Sequence, residues 1–549
     1  MLTRWPAAVL LLLATSLGAA GTAAAGERAW AGTGIVQAAG GRYLTDTSGR
    51  RLELHGVNLV GKCGGGAAPT VAAGTPCVGP ATGPRLAYVL SPSARDPARR
   101  FTAADARTLV RLGFNSVRLG MIWEGLEPGP RGVSANDPVY CGPHRHGTRF
   151  PALGRADPYD PATVRAYLRR TDRIVALLAR VGIRVIIDMH QDVWGSSFSY
   201  ALGATPWNGE GAPPWATCTN NVAFVPPVGW GSAYEAPAVQ TAIHHFWANN
   251  VRGDLQGQFA RVWAAVARHY RGDPDVLGYD VINEPNDYSV KSVDRELQCD
   301  YGGPVHEPRS CRQSRPDALP DGLIGTIESA DPSHVVLFEP SGSTDFGAAE
   351  TIGITEPLRF PRLALAFHVY GDPGPQLALT AQERFHTRTE QPGGPPAIMD
   401  EFGASNNAPA TAALVSLAGA LNLSWTYWSA FQLDDPTAGD AYEGLLDQLT
   451  RKPYPAQARA VAVPYAWATA GTPSAQTFHA RTGRYSYRYW VLPAIHAPTE
   501  IVLPDYDYPH GYRVLVQGAR VVSARNAPLL ELTPRRKAAR VVVTVTRRR

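Results

Sequence analysis

Eight short apolar segments recur between residues 51 and 428, and helical periodicity, as over 103–112 and 161–181, lies between them. Strands buried on both faces are apolar runs of this kind, and their alternation with helices is typical of a parallel sheet. Eight such units can close into a (β/α)8 TIM barrel, an α/β fold. The predicted strands are 51–59, 114–119, 183–190, 276–284, 335–339, a run ending at 370, 396–401 and a run ending at 428.

Among the glutamates that end these segments, Glu284 on the fourth strand and Glu401 on the seventh are the candidate catalytic pair. Barrel enzymes place their catalytic residues at the C-terminal ends of the strands. The two glutamates are 117 residues apart, which is roughly three strand–helix units of about 30–40 residues. Two carboxyl groups at one barrel mouth suit glycoside cleavage, with one as acid and base and the other as nucleophile. For either glutamate alone, a helix cap or an ion pair is the alternative interpretation.

The chain has 549 residues, which leaves room for a second domain after a barrel. From about residue 455 the helical periodicity stops, and short β-type runs follow at 500–503, 512–516, 529–532 and 541–546. We predict a catalytic barrel domain over residues 26–455 and an antiparallel β-sandwich domain over residues 456–549. The sandwich could bind carbohydrate or merely cover a flank of the barrel.

The first 25 residues have the pattern of a secretion signal. Arg4 is followed by an apolar stretch at 7–13 and a run of three alanines at 23–25. An uncleaved membrane anchor is the alternative, but the apolar run is shorter than the roughly 20 residues that span a bilayer. We expect a signal peptide over residues 1–25, cleavage near Gly26, and a secreted, extracellular protein.

Six cysteines follow the signal, at positions 63, 77, 141, 218, 299 and 311. An even number in an oxidising compartment predicts disulfides. One pairing joins 63 with 77, 299 with 311, and 141 with 218, although six cysteines allow about 15 connectivities. The cysteine spacing is not that of a zinc site. The net charge of +5 comes partly from basic clusters near the C terminus and does not indicate a nucleic-acid partner.

The motifs at the two glutamates resemble the family 5 glycoside hydrolases. Asn283-Glu284-Pro285 and the later Glu401-Phe402-Gly403 carry this resemblance. In that family the first glutamate is the general acid/base and the second is the nucleophile of a retaining, double-displacement mechanism. The resemblance therefore implies a covalent glycosyl intermediate on Glu401, with neither a cofactor nor a metal.

Five further residues match positions of the family's site. Arg118 would hold the nucleophile ionised, since a nearby cation favours a carboxylate. Asn283 would donate a hydrogen bond to the sugar 2-hydroxyl. His368 and Tyr370 alternate on strand six, where the histidine would orient the acid and the tyrosine would bind the nucleophile. Trp428 suits the floor on which a sugar stacks. An ordinary ion pair, a loop-capping amide and a core histidine remain the alternatives for Arg118, Asn283 and His368.

The segments 187–194 and 208–216 resemble the endoglycoceramidase branch of the family. In that branch a lysine, an aspartate and a tryptophan contact the glucose next to the scissile bond. The resemblance assigns these roles to Lys62, Asp192 and Trp215, with His190 beside them. The substrate would then be a glycosphingolipid, cut between its first sugar and ceramide.

Such a substrate needs space for two acyl-type chains beside the sugar site. The candidates for a lipid-facing channel are Trp194, Phe198 and Trp207 in the long loop after strand three, and residues 431–446 after strand eight. A folded loop with its own small core is the alternative. We expect a monomer that acts on a glycosphingolipid or another β-glycoside, with transient contact at a membrane surface.

Three other functions compete with this one. An endo-β-glucanase or mannanase of the same fold would act on polysaccharide in an open cleft. A metal-dependent hydrolase would use nearby histidines and acids, but would leave the Asn-Glu-Pro strand unexplained. A glycan- or lipid-binding protein without activity would not need both glutamates. The candidate metal ligands are His144, His146, Asp188, His190 and Asp192.

Overall fold

The structure, a computed structural model, describes residues 36–38, 43–60, 101–145, 147–202, 205–225, 230–285, 322–339, 362–370, 395–431, 443–447 and 450–548. In chain order the described strands are β1 (Gln37–Ala38), β2 (Leu44–Thr45), β3 (Arg51–Leu52), β4 (His55–Leu59), β5 (Ser116–Met121), β6 (Arg184–Met189), β7 (Ser199–Leu202), β8 (Thr205–Asn208), β9 (Val276–Asp280), β10 (Val335–Phe338), β11 (Leu363–Val369), β12 (Ala397–Phe402), β13 (Ser424–Tyr427), β14 (Tyr465–Thr469), β15 (Gly471–His479), β16 (Arg484–Val491), β17 (Thr499–Val502), β18 (Tyr512–Gln517), β19 (Ala519–Val521), β20 (Leu529–Pro534) and β21 (Arg540–Arg547).

The helices of these described segments lie mostly between the barrel strands. They are α1 (Ala103–Arg111), α2 (Trp123–Leu126), α3 (Pro138–Cys141), α4 (Pro161–Ala179), α5 (Trp230–Tyr234), α6 (Pro237–Ala248), α7 (Leu255–His269), α8 (Gly322–Ala330), α9 (Ala408–Leu421) and α10 (Pro455–Val461), with short 3-10 turns at Gly154–Ala156 and Pro214–Ala216. None of these described helices has both the length and the apolar character needed to cross a membrane.

Eight parallel strands close into a barrel, which confirms the predicted fold class. Going round the barrel, β4, β5, β6 and β9 to β13 are neighbours in chain order, and β13 pairs with β4 to close the ring. Side chains alternate across each strand. On β6, Val185 and Ile187 pack in the cluster that includes the outer helices, whereas Ile186 packs in the cluster inside the barrel.

Helix α4 shows how the sequence sets an element of the outer ring. The side chain of Asp160 accepts hydrogen bonds from two backbone N–H groups of the first turn, and Pro161 occupies the first helical position, where its missing N–H costs nothing. Val164, Tyr167 and Leu168 are buried on one face. Burying an aliphatic side chain of this size contributes about 1.5–3 kcal/mol. The helix ends just before Gly182, which has φ +79°.

Two packed sheets follow the barrel and confirm the predicted C-terminal β-sandwich. One sheet has the order β1-β2-β3-β14-β17-β20-β19, and the other has the order β15-β16-β21-β18. Alternate residues of β16, among them Tyr485, Tyr487 and Tyr489, fill the core between the sheets. Tyr465 and Trp467 of β14 pack instead against residues near the N-terminal ends of the barrel strands. The sandwich therefore covers the end of the barrel opposite the strand ends that carry the glutamates.

Several sequence-based boundaries were wrong. The predicted first barrel strand is split, because β3 joins the C-terminal sheet through β14 and only β4 enters the barrel. Strand four ends at Asp280, so the Asn-Glu pair lies on the following loop. Helix α10 lies where helical periodicity was predicted to stop. The long segment after strand three contains α5 and α6. The domain boundaries themselves remain predictions.

A buried polar network links the barrel floor to the sandwich. The side-chain amide of Gln476 donates to both carboxyl oxygens of Glu53, at 2.9 and 3.1 Å, and Nε2 of His55 lies 2.8 Å from Glu53. The His55 ring stacks on Tyr465 with 3.6 Å between ring centroids. Burial raises the pKa of Glu53 well above its ordinary value and lowers the pKa of His55 well below its own. These directions favour a neutral carboxyl beside a neutral imidazole.

Replacing Glu53 with glutamine is expected to make the protein relatively more stable as the pH rises. Because the pKa of Glu53 is raised in the folded state, its contribution to stability is fully present below the unfolded pKa of about 4.3. That contribution is lost as the pH rises through the folded pKa. Glutamine has nearly the same shape, can accept a hydrogen bond from Gln476 with its one oxygen, and does not ionise. Each pH unit in that window should add about 1.4 kcal/mol in favour of the variant. Urea unfolding at several pH values would measure this, and parallel stability curves would contradict it.

The structure confirms the disulfide between Cys141 and Cys218, with 5.2 Å between the two Cα atoms. It joins α3 to the segment that follows the 3-10 turn Pro214–Ala216. The other two predicted pairs, 63 with 77 and 299 with 311, lie outside the described residues.

Replacing Cys141 and Cys218 together with serine is expected to lower the free energy of unfolding. The bond closes a sequence separation of 77 residues, and loop-closure entropy over that length corresponds to about 4 kcal/mol. Urea unfolding of the oxidised protein and the double variant would measure the difference. A loss below about 1 kcal/mol would show that this bond contributes far less than chain entropy predicts.

Candidate active site

The two predicted catalytic glutamates lie together at the C-terminal end of the barrel. Glu401 is on β12, and Glu284 is four positions beyond β9. Their side chains are nearly buried, with 3% and 5% of each residue exposed. One carboxylate oxygen of each glutamate and one ring nitrogen of His368 all lie within 4.8 Å of one another. The two carboxyl groups are therefore close enough to act on the same bond.

Arg118, on β5, is fully buried inside the barrel and forms ion pairs with carboxylates from four other strands or strand ends. A buried guanidinium is tolerated only when its charge is paired. Burial would lower the pKa of Arg118, but the surrounding carboxylates outweigh burial and raise it well above its ordinary value. The partners are Glu401 at 2.5 Å, Asp280 at 2.7 Å, Glu339 at 2.9 Å, Asp188 at 3.1 Å and Asp400 at 3.2 Å.

Three of the other acids around this arginine, Asp280, Glu339 and Asp400, were not predicted as site residues, and Asp188 was predicted only as a candidate metal ligand. Burial raises the pKa of Asp280 and Asp400, with Arg118 opposing the rise, and burial raises the pKa of Glu339 well above its ordinary value, with His368 opposing it. These directions favour protonated carboxyl groups within the cluster. A usable signal was present in the sequence for Glu339, since it ends the predicted strand 335–339 just as Glu401 ends 396–401.

His368 and Tyr370, the alternating pair of strand six, both contact the catalytic carboxyls. Nδ1 of His368 lies 3.0 Å from Oε1 of Glu284 and 3.6 Å from Oε2 of Glu401. The hydroxyl of Tyr370 donates to Oε2 of Glu401 at 2.5 Å. Burial, followed by the charge of Glu401, raises the pKa of Tyr370 well above its ordinary value, so the phenol remains a donor. A register shift between Phe367 and His368 places His368 opposite Glu401.

Asn283 uses both ends of its side-chain amide within the protein. Its Oδ1 accepts from Arg118 at 2.9 Å, and its Nδ2 donates to the backbone oxygen of Gln191 at 3.2 Å. The second hydrogen of the amide is the donor that a sugar hydroxyl could use. The structure therefore places Asn283 at the site in a position that also suits its alternative, structural role.

His190 contacts both Trp428 and Asp192 at the barrel mouth. The His190 and Trp428 rings stack with their centroids 5.5 Å apart. Nδ1 of His190 lies 2.8 Å from Oδ2 of Asp188, and Nε2 lies 3.6 Å from Asp192. Burial lowers the pKa of His190, but Asp188 and Asp192 outweigh burial and raise it to about 9. The imidazole is therefore positively charged at neutral pH.

Trp215, another predicted site residue, packs away from the two glutamates. Trp215 is fully buried, donates its indole N–H to the backbone oxygen of Glu127 at 2.9 Å, and packs edge-on against Trp123. Its predicted contact with glucose has no support in this packing. Lys62 lies outside the described residues.

The lipid-facing role predicted for Trp194 and Phe198 was wrong. Both side chains are buried in the main core, where Trp194 packs on Phe246 and Phe198 packs on Phe224. The structure favours the alternative interpretation, in which these side chains are buried in a core and do not face a lipid. The side chain of Trp207 and residues 432–442 lie outside the described part of the chain.

The competing metal site gains no support from the described side chains. His144 stacks on Phe150, with 3.9 Å between ring centroids, and His146 is not among the described residues. Two other groups could share an ion by distance, namely Glu284 with His368 and Glu401, and Glu339 with His368 and Asp400. Arg118 and Tyr370 already bind Glu401, so a cation there would have to displace donors.

Comparison with known proteins adds to this geometry. Residues 96–433 match the family described as Cellulase (glycosyl hydrolase family 5), and residues 464–546 match the Glycoside hydrolase family 5 C-terminal domain. Endoglycoceramidase I of Rhodococcus hoagii is 26% identical over 512 residues, which cover 90% of this chain and 84% of that protein.

Two solved structures of endo-glycoceramidase II from Rhodococcus sp. superpose on the chain. The complex with ganglioside GM3 is 25% identical, with a TM-score of 0.61, and covers 93% of this chain and 100% of that one. The lactosyl-enzyme intermediate is 25% identical, with a TM-score of 0.61, and covers 92% and 100%. With a barrel that matches the family over most of its length and two glutamates at its mouth, the chain belongs to glycoside hydrolase family 5.

Proposed function

We propose that this protein is a secreted, retaining β-glycosidase that hydrolyses the bond between the glycan and the ceramide of glycosphingolipids. The observation that carries the proposal is the approach of Glu284 and Glu401, whose nearest carboxylate oxygens lie within 4.8 Å. Retaining enzymes hold their carboxyls about 5–5.5 Å apart, whereas inverting enzymes need about 6.5–9.5 Å to admit a water. The observed separation favours direct attack by one carboxylate.

In the first step a carboxylate oxygen of Glu401 attacks the anomeric carbon while Glu284 gives its proton to the departing oxygen. Arg118 and Tyr370 hold Glu401 through bonds to different carboxylate oxygens, which fixes the direction of its carboxylate. In the second step Glu284, now ionised, takes a proton from water, and the hydroxide oxygen displaces Glu401 from the sugar. The product keeps the anomeric configuration of the substrate.

The glycolipid part of the proposal is supported by relatives. Endoglycoceramidase I covers most of both chains at 26% identity, and endo-glycoceramidase II was solved with ganglioside GM3. His190 and Trp428, two residues expected to line the sugar site, stack on each other at the barrel mouth, with their ring centroids 5.5 Å apart.

Secretion is supported by the leader pattern over residues 1–25. N-terminal sequencing of protein recovered from the culture medium would test it. A first residue near Gly26 would agree with the proposal, and full-length protein retained in the cells would contradict it.

The substrate class is tested by incubating the purified protein with lactosylceramide, ganglioside GM3, glucosylceramide and soluble β-glucan in detergent. Mass spectrometry should find intact oligosaccharide and ceramide released together. Glu284→Gln and Glu401→Gln should both lose this release, and Glu531→Gln, on β20 of the sandwich, serves as the matched control. Cleavage of β-glucan with all glycolipids intact would replace the glycolipid assignment with a polysaccharide one. Such an activity would agree with the family's description as Cellulase.

A further inference from the structure

The backbone of Glu284 has an unusual conformation. Its φ is +42°, in the left-handed region that residues other than glycine rarely adopt. This conformation costs roughly 1–2 kcal/mol for an ordinary residue. Strain of this kind persists only where surrounding groups enforce it.

Two buried side chains hold the Glu284 residue from opposite sides. Oε2 of Glu339, the residue just after β10, accepts the backbone N–H of Glu284 at 2.8 Å. The side-chain amide of Gln191 donates to the backbone oxygen of Glu284 at 3.1 Å and to that of Asn283 at 2.9 Å. The N–H and the C=O of the strained residue are therefore both fixed.

Both side chains are themselves anchored. Oε1 of Glu339 accepts from Arg118 at 2.9 Å, and Oε1 of Gln191 accepts the backbone N–H of Trp194 at 2.9 Å. Glu339 is 2% exposed and Gln191 is 6% exposed. Arg118 also binds Glu401, so Glu339 links the backbone of one catalytic residue to the guanidinium that holds the other.

We propose that Glu339 and Gln191 are positioning residues for the general acid/base, because together they hold the Glu284 backbone in the conformation that directs its carboxyl toward the leaving oxygen. The inference rests on the proposed function. Neither residue touches the reacting atoms. Gln191 acts through the Glu284 backbone. Glu339 acts through the same backbone, and it also lies 3.4 Å from Nε2 of His368, whose Nδ1 contacts the Glu284 carboxyl. Proton transfer is sensitive to such placement, since a displacement of about 1 Å can cost about 10²-fold in rate.

A defect in acid placement has a signature that general destabilisation lacks. An unsubstituted phenyl leaving group needs a proton as it departs, whereas a dinitrophenyl leaving group does not. Misplacing Glu284 should therefore lower kcat/KM for the phenyl glycoside much more than for the dinitrophenyl glycoside. The second step also needs Glu284 as a base, so azide, which attacks without one, should raise kcat and give a glycosyl azide.

The experiment compares Glu339→Gln, Gln191→Leu and the double variant on phenyl and dinitrophenyl β-lactosides, with Glu284→Ala as reference and Glu531→Gln as control. Glutamine has one acceptor oxygen, so at position 339 it can serve Arg118 or the Glu284 amide but not both. We expect each single variant to lose about 10- to 100-fold in kcat/KM on the phenyl glycoside and less than about threefold on the dinitrophenyl glycoside. The fold-loss in kcat/KM of the double variant should be smaller than the product of the two single losses, because both side chains hold the same residue, Glu284.

The outcomes separate this inference from the proposed function. If Glu284→Ala itself lacks the leaving-group signature, the acid/base assignment fails and the inference falls with it. If Glu284→Ala shows the signature and azide rescue, but the two positioning variants lose both substrates equally, the inference alone is wrong. Preferential loss on the phenyl glycoside with azide rescue in both single variants would establish it.

Discussion

Replacing Glu401 with glutamine is expected to lower kcat by on the order of 10⁴- to 10⁶-fold, as removal of a catalytic nucleophile does in other hydrolases. Glutamine has nearly the same shape, and its one amide oxygen can keep either the Arg118 contact or the Tyr370 contact. However, it has no negative charge and cannot form the glycosyl ester. Initial rates on dinitrophenyl β-lactoside, compared with the parent protein, measure the loss.

Two controls distinguish a loss of catalysis from a loss of folding. The thermal unfolding midpoint of Glu401→Gln should stay near that of the parent, because the neutral side chain relieves crowding among the carboxylates around Arg118. Glu284→Gln should retain much more activity on the dinitrophenyl substrate, with azide added, than Glu401→Gln does. A Glu401→Gln rate within about tenfold of the parent rate would exclude Glu401 as the nucleophile.

Replacing Arg118 with methionine is expected to lower the free energy of unfolding by about 3–5 kcal/mol, the usual result of removing one partner from a buried ion pair. Asp188, Asp280 and Asp400 would lose their buried cation. Arg118→Lys should recover only part of the loss, since an ammonium cannot reproduce the flat fork of donors that binds several carboxylates at once. Urea unfolding gives these free energies.

The Arg118→Met defect should depend on pH in a defined direction. Burial raises the pKa of Asp280 and Asp400, and Arg118 opposes that rise. Without the guanidinium both pKa values rise further, so the folded variant holds protons more tightly and its stability falls as the pH increases. The gap between parent and variant should therefore widen as the pH rises. A gap that does not change with pH would contradict the electrostatic explanation.

The positions of the glutamates could be predicted because they depend on local signals. Apolar runs mark buried strands, and residues at or just beyond the C-terminal ends of parallel strands meet at one mouth, as Glu284 and Glu401 do. The contacts of His368 and Tyr370 follow from the same reasoning, since alternate residues of a strand share a face.

Other features depend on pairings that no local pattern reveals. Leu52 joins the C-terminal sheet only because it pairs with Ala468, which lies far along the chain. Trp215 and Trp194 suit either a ligand surface or a core, and tertiary packing alone decides for the core. The left-handed backbone of Glu284 results from the Glu339 and Gln191 contacts, so its sequence neighbours do not indicate it.

The measurement that tests the central claim most directly is mass spectrometry of the protein after treatment with a 2-deoxy-2-fluoro β-lactoside that carries a dinitrophenyl leaving group. The fluorine slows both chemical steps, and the activated leaving group restores the rate of the first step. A retaining enzyme therefore accumulates its covalent intermediate. We predict one added fluorolactosyl group, located by proteolysis on the peptide that contains Glu401. Turnover without any adduct, with a product of inverted anomeric configuration, or a label on a different residue would contradict the two-glutamate mechanism.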